Sequence, residues 1–135
     1  MSIKNTIDNF GQNAGKIWRN LEKYGPLTES DLVRRSRLNK NDFYAGVGWL
    51  ARENKICKTG TKYQLGETNL TDTIGSNAGK IWNVLYTTKD IDVSTIAEIS
   101  QINNKDAYFA LGWLARENKI QVTTGKEIKF KLKIN

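Results

Sequence analysis

The chain has 135 residues, a net charge of +7 from 21 Lys and Arg against 14 Asp and Glu, one cysteine and no histidine. That composition excludes an intramolecular disulfide, a zinc cluster and a Ser-His or Cys-His catalytic pair, and no apolar run approaches the length of a secretory or membrane-spanning segment. The expected setting is cytoplasmic, and the basic balance favours nucleic acid, an anionic membrane surface or an acidic protein as partner.

Residues 1–5 read as a loose arm. From Thr6 the apolar positions Ile7, Phe10, Ala14, Ile17 and Leu21 follow helical spacing, with Trp18 at the border of the stripe, until Tyr24-Gly25-Pro26 ends it. Inside this helix Gly11 and Gly15 cost propensity, which close approach of another backbone would explain. Gly11-Gln12-Asn13-Ala14-Gly15-Lys16 looks somewhat like a phosphate-binding loop but fails as one. Its spacing is one residue short, no Ser or Thr follows the lysine, and it sits in a helical pattern instead of after a strand.

Thr28 with Asp31 predicts an N-cap and a short second helix; Asn39 with Asp42 predicts the cap of a third. Leu38 points inward between them, as in a helix-turn-helix. Ile56-Cys57-Lys58, Thr59-Gly60-Thr61 and Lys62-Tyr63-Gln64-Leu65 then read as strand, turn and strand, with Cys57 a strand residue whose lysine neighbours would favour a thiolate if it were reactive. Gly66 to Leu70 is a short linker.

Everything before the linker then returns. Gly48-Trp49-Leu50-Ala51-Arg52-Glu53-Asn54-Lys55-Ile56 recurs unchanged at Gly112 to Ile120, and residues 11–56 align with 75–120 without a gap, 22 of the 46 pairs being identical. The second copy has its first helix from Thr71 to Thr88 with Gly75 and Gly79, its second from Asp92 to Ile99, and its third capped by Asn103 with Asp106. Its wing is Ile120 to Thr123, a turn at Thr124-Gly125, and alternating Ile128, Phe130, Leu132 and Ile134. The predicted fold is α+β, mainly α: two tandem winged helix-turn-helix domains, residues 1–66 and 67–135, each of three helices and a β-hairpin wing. Each unit is near the lower size limit for independent folding and should lean on the other.

Asn-Ala-Gly-Lys-Ile-Trp in the first helix, combined with Gly-Trp-Leu-Ala-Arg-Glu-Asn-Lys-Ile ending the third, resembles a small prokaryotic winged helix-turn-helix family long catalogued as a domain of unknown function. The resemblance covers both repeats, and this chain looks like a fused tandem of a unit that is usually single. It implies the winged-helix fold, and implies DNA binding by analogy, since winged helices also serve as protein-docking modules.

In the third helix, Phe43, Val47 and Leu50, matched by Ala107, Leu111 and Leu114, form the buried face. The opposite face carries Asn41, Ala45, Gly48, Trp49 and Arg52, and in the second copy Lys105, Phe109, Gly112, Trp113 and Arg116. Two readings of Trp49 and Trp113 stay open: they fold back on their own wing or first helix, or they anchor an interface. The interface would be either a pseudo-twofold contact between repeats or a docked partner, with Gly48, Gly112 and Phe109 beside them. Base stacking is a third use. Arg52-Glu53 and Arg116-Glu117 read as intramolecular ion-pair residues.

Charge divides unevenly, 12 Lys and Arg against 6 Asp and Glu in residues 1–66, and 9 against 8 in 67–135. Nucleic-acid candidates are therefore Arg34, Arg35, Arg37, Lys40, Asn41, Tyr44, Lys58 and Lys62, with Asn104, Lys105, Tyr108 and Lys126 in the second repeat. The cations would meet phosphates, while Asn41 and Tyr44 are placed to approach base edges. The second repeat has Glu98, Ile99 and Gln101 at the three arginine positions. A non-enzymatic double-stranded DNA-binding protein, regulator or architectural, is the leading expectation, and a module docking a protein through the Trp-bearing faces is the alternative. Neither cofactor, metal nor membrane is expected, and the chain should be a monomer with pseudo-twofold repeats or a homodimer.

Overall fold

A computed structural model describes residues 6–123 and 125–133; the expected loose arm at 1–5, and the turn and strand assignments of Thr124 and Ile134, lie outside the described residues. The first repeat is α1 (Thr6–Tyr24), β1 (Leu27–Thr28), α2 (Glu29–Ser36), α3 (Lys40–Arg52), β2 (Ile56–Thr59) and β3 (Lys62–Leu65). The second opens with a π-helical turn (Thr71–Gly75) and continues as α4 (Ser76–Thr87), α5 (Val93–Ser100), α6 (Asn104–Arg116), β4 (Ile120–Thr123) and β5 (Lys129–Leu132). The two copies have the same plan, three helices and a hairpin.

Local chemistry sets the boundaries. Thr28 and Asp92 cap α2 and α5 by accepting from the backbone N–H of Asp31 and Thr95, and Asn39 and Asn103 cap α3 and α6 by accepting from Asp42 and Asp106. At the corner between the second and third helices, Arg37 and Gln101 take left-handed backbone angles, φ 56° and 59°. The amide of each donates back to the preceding helix, which is how this turn closes without glycine. One strand escaped the sequence reading. Leu27–Thr28 is too short to show period-two alternation, yet it pairs antiparallel with β3, Thr28 opposite Lys62, giving a sheet ordered β1-β3-β2. Its counterpart in the second repeat is the single bridge Ile91 to Phe130.

The repeats do not keep separate cores. Phe10, from the second turn of α1, stacks on Phe130 of the second repeat with ring centroids 6.4 Å apart, and Ile7 packs in the same cluster. In return Ile74, from the start of the second repeat's first helix, is buried in the first repeat's core with Phe43, Val47 and Tyr63. Each first helix therefore begins against its neighbour and ends in its own repeat.

Three tyrosines sit in this interlocked core. Burial, then the charge of Glu29 and the nearby Tyr44, raises the Tyr63 hydroxyl well above the usual tyrosine range. Burial raises Tyr44, assisted by Glu29, and raises Tyr108, assisted by Asp42. Their unfolded-state value is near 10, so the folded state holds protons that the unfolded state releases in alkali. The stability this contributes is intact below about pH 10 and is lost as pH climbs toward the folded values. Urea midpoints measured from pH 8 to 11.5 should fall steeply above about pH 10. Tyr63→Phe should flatten that fall, and an unchanged slope in the variant would contradict the assignment.

Candidate nucleic-acid interface and the seam behind it

The third helices, which in a helix-turn-helix carry the reading surface, are the most closely joined elements of the molecule. Ala45, Gly48, Phe109 and Gly112 are all buried where α3 meets α6. A Cβ placed on Gly48 would fall far inside contact with the carbonyl oxygen of Phe109, and one on Gly112 would do the same to that of Ala45. Only glycine permits this approach. The pairing runs in one direction: Lys105 lies over the Tyr44 ring near the helix starts, Gly48 meets the Phe109 backbone and Gly112 that of Ala45 mid-helix, and Arg52 and Arg116 reach Glu117 and Glu53 at the ends. The two helices are thus parallel about a pseudo-twofold axis.

At the far end the ion pairs are reciprocal. Arg52 Nε donates to Glu117 Oε2 at 3.0 Å, and Arg116 Nε to Glu53 Oε2 at 2.9 Å. The expected intramolecular pairing of these residues exists, but each arginine takes the glutamate of the other repeat. Both arginines are half exposed, so each pair contributes roughly 0–1 kcal/mol. Register is their stronger effect.

Trp49 and Trp113 are half-buried and combine features of both readings. The Trp49 indole covers Gly11 of its own α1, 3.0 Å from where a Cβ would stand, and Trp113 covers Gly75 at 3.2 Å. Each indole also lies beneath the guanidinium of the other repeat, Arg116 5.9 Å from the Trp49 ring and Arg52 5.8 Å from that of Trp113. This corrects the expectation for the first-helix glycines. An indole, not a backbone, approaches Gly11 and Gly75; Gly15 meets only the guanidinium end of Arg19, and a Cβ on Gly79 would meet nothing within 4 Å.

Two candidates for nucleic acid have partners across the seam, one of them buried. Tyr44 cannot approach base edges as expected: it is only 7% exposed, its ring packs 5.0 Å from that of Phe109, and its hydroxyl donates to Glu29. Lys105 is turned onto the seam, its Nζ 3.5 Å from Glu29 Oε1 and 5.1 Å from the Tyr44 ring. Helical periodicity marks one face of a helix as outward, but cannot say that a second helix covers it. Tyr108 is half-buried, and Lys58 is half-buried with its Nζ 5.3 Å from the Tyr63 ring.

Lys105 nevertheless stays exposed, and most of the other cations are at the surface as well. Arg34, Arg35, Arg37 and Lys40 are exposed together around the corner between α2 and α3, with Asn41 beside them. Arg34 reaches Asp31 at 3.0 Å and Arg35 lies 4.1 Å from the Tyr24 ring. Lys62, Asn104 and Lys126 are exposed as well. A further basic stripe lies outside the expected set: Lys16, Arg19 and Lys23 recur at three- and four-residue intervals along the outer face of α1 and are all exposed. Spacing i, i+3, i+7 was the available signal.

Among the described residues no group of three or more His, Cys, Asp or Glu could hold a metal, and no helix is long and apolar enough to cross a membrane. Three helices, a capped corner and a hairpin wing, twice over, define a tandem winged helix-turn-helix protein. The chain belongs to the family described as winged helix-turn-helix domain (DUF2582), whose model matches residues 4–66 and again 69–132. No curated protein and no solved structure matches it significantly.

Proposed function

We propose that the chain is a non-enzymatic double-stranded DNA-binding protein, a regulator or architectural factor, that acts as a monomer because its two repeats, residues 1–66 and 67–135, already form the dimer-like unit. The observation that carries this reading is the exposed cluster Arg34, Arg35, Arg37 and Lys40 at the helix-turn-helix corner, where the second repeat has Glu98, Ile99, Gln101 and Asn104. Duplex DNA is met on one side, through phosphates, with Asn41 and the wing's Lys62 alongside. The seam restricts the mode. Conventional helix-turn-helix dimers set their reading helices about 34 Å apart, one turn of the duplex. Here the two helices touch, so a palindrome with half-sites one turn apart has no counterpart in this protein. Binding depends on charge and DNA shape more than on base sequence.

Titration against random duplex DNA at several salt concentrations tests it. Four neutralised phosphates give a slope of about −3.6 in log affinity against log salt, at about 0.9 per phosphate. Replacing Arg34, Arg35 and Arg37 by Glu, Ile and Gln should cut that slope to about −0.9 and weaken binding far more than the reverse exchange in the second repeat strengthens it. Salt-independent affinity would contradict the reading, and undiminished binding by the triple variant would move the site elsewhere.

A further inference from the structure

The chain carries two matching clefts. In the first repeat a cavity of about 460 Å³ opens over Gly11, Ala14 and Gly15 of α1, beside Trp18 and Trp49, with Arg19, Glu53 and Lys55 at its edge. In the second, one of about 350 Å³ opens over Gly75, Ala78 and Gly79, beside Trp82 and Trp113, with Glu117 and Lys119. Of the nine residues lining each, eight are identical between copies; the exception is Arg19 against Asn83. Across the aligned repeats only 22 of 46 pairs are identical, so the two copies agree more closely at the clefts than elsewhere.

Packing accounts for part of this agreement. Gly11 and Gly75 make room for an indole, and Glu53 and Glu117 hold the seam. It does not account for Gly15 and Gly79. Both lie inside a helix, where glycine is unfavourable, and an added Cβ would meet only a flexible guanidinium at Gly15 and nothing at Gly79. At Gly79 glycine leaves the floor of the cleft open, and at Gly15 it leaves room for the Arg19 guanidinium to lie over that floor. In the second repeat the aromatic surface extends further, since Tyr86 stacks on Trp82 at 5.3 Å and is 69% exposed.

We propose that each cleft is a binding site for a planar aromatic anion, seated against the two indoles beside Gly15 or Gly79, with its acidic group toward Lys55 and Arg19 in the first repeat and Lys119 in the second. The charge pattern selects an anion. Glu53 already accepts from Arg116 at 2.9 Å and faces Lys55 at 3.7 Å, and Glu117 is engaged in the same way by Arg52 and Lys119. Each carboxylate thus faces two cations, which leaves positive charge in excess at each rim, and the half-exposed Lys55 and Lys119 keep N–H donors beyond their one carboxylate contact. Volume agrees, as both clefts fall in the range of about 300–1,000 Å³ usual for small-molecule sites. The first cleft, with Arg19 added, discriminates more strongly for negative charge.

The test is a titration of the intact protein with 2-naphthoate and with the neutral 2-naphthalenemethanol, followed through the four indole N–H signals in proton–nitrogen NMR spectra. Naphthoate should move the Trp18 and Trp49 signals together and saturably, and the Trp82 and Trp113 signals as a second set. In the first cleft the neutral compound should bind about tenfold more weakly, the size of one charge-assisted contact. Gly15→Leu should abolish the first response and leave the second; Gly79→Leu, which has open space to fill, should do the reverse. Arg19→Asn should reduce the first cleft's preference for the anion to that of the second. Absence of saturable shifts, responses that survive both leucine substitutions, or equal affinity for the neutral compound would overturn the proposal. None of these readouts involves DNA, so it stands or falls apart from the proposed function.

Discussion

Gly48→Ala and Gly112→Ala should each lower stability by about 3 kcal/mol, at the upper end of the usual overpacking cost. A methyl added at either position collides with a main-chain carbonyl inside the facing helix, Phe109 in one case and Ala45 in the other. Flexible side chains can rotate away from an intruding methyl; a hydrogen-bonded helix backbone cannot, so the two helices must part along the seam. Thermal midpoints should drop by about 10 °C for each single variant. The double variant should lose less than twice that, because the first methyl has already opened the contact that the second would meet. Gly79→Ala is the internal control. It is also a helix-interior glycine, but its Cβ meets nothing within 4 Å, so it should gain about 1 kcal/mol from helix propensity alone. Equal midpoints for all three variants would show that the seam contributes nothing to folding.

The contrast between Gly48 and Gly79 marks the boundary of what the sequence reveals. Repetition at an offset of 64 residues, the caps Thr28, Asn39, Asp92 and Asn103, and the buried stripe Phe43, Val47 and Leu50 are local signals, and the family match and the described elements agree with the fold drawn from them. The burial of Tyr44 and the seam contacts of Lys105 are not legible in the sequence because they are set by helices of the other repeat. The same limit applied to the first-helix glycines. Gly11 and Gly79 occupy the same kind of GxxxG pattern, yet one lies under an indole and the other faces open space. Neither periodicity nor propensity carries that distinction. Phe10 was placed correctly on the apolar stripe of α1, but nothing in its neighbours indicates that its partner is Phe130 in the other repeat.

The largest effect is expected when the chain is divided in the linker and residues 1–66 and 67–135 are produced as separate fragments: they should join each other in strong preference to copies of themselves. Both fragments contain the glycine, tryptophan, arginine and glutamate of the seam, so symmetry alone would allow either homodimer. What breaks the symmetry is the pair Ala45 and Phe109, which occupy equivalent positions. In the intact chain the Phe109 ring lies in the seam against Tyr44, and the small side chain of Ala45 stands at the equivalent place on the other helix. A homodimer of the first fragment would have Ala45 twice and lack that ring, a loss comparable to the roughly 3–5 kcal/mol of a buried Phe cut to Ala. One of the second fragment would have Phe109 twice and be overpacked by about 1–3 kcal/mol. Electrostatics point the same way. The Lys105 to Glu29 contact at 3.5 Å joins the two repeats, whereas either homodimer would pair these residues with Asn41 or Val93. The interlocking first helices add to this, because Phe10 on Phe130 and Ile74 in the first core are both satisfied only in the mixed pair. A gap of about 3 kcal/mol corresponds to more than a hundredfold preference. Native mass spectrometry of an equimolar mixture should therefore show almost entirely the mixed pair, with the second fragment poorly folded on its own. A statistical 1:2:1 distribution, or two independently folded monomers, would mean that the interlocked core and the lone Phe109 substitution for Ala45 do not determine the pairing.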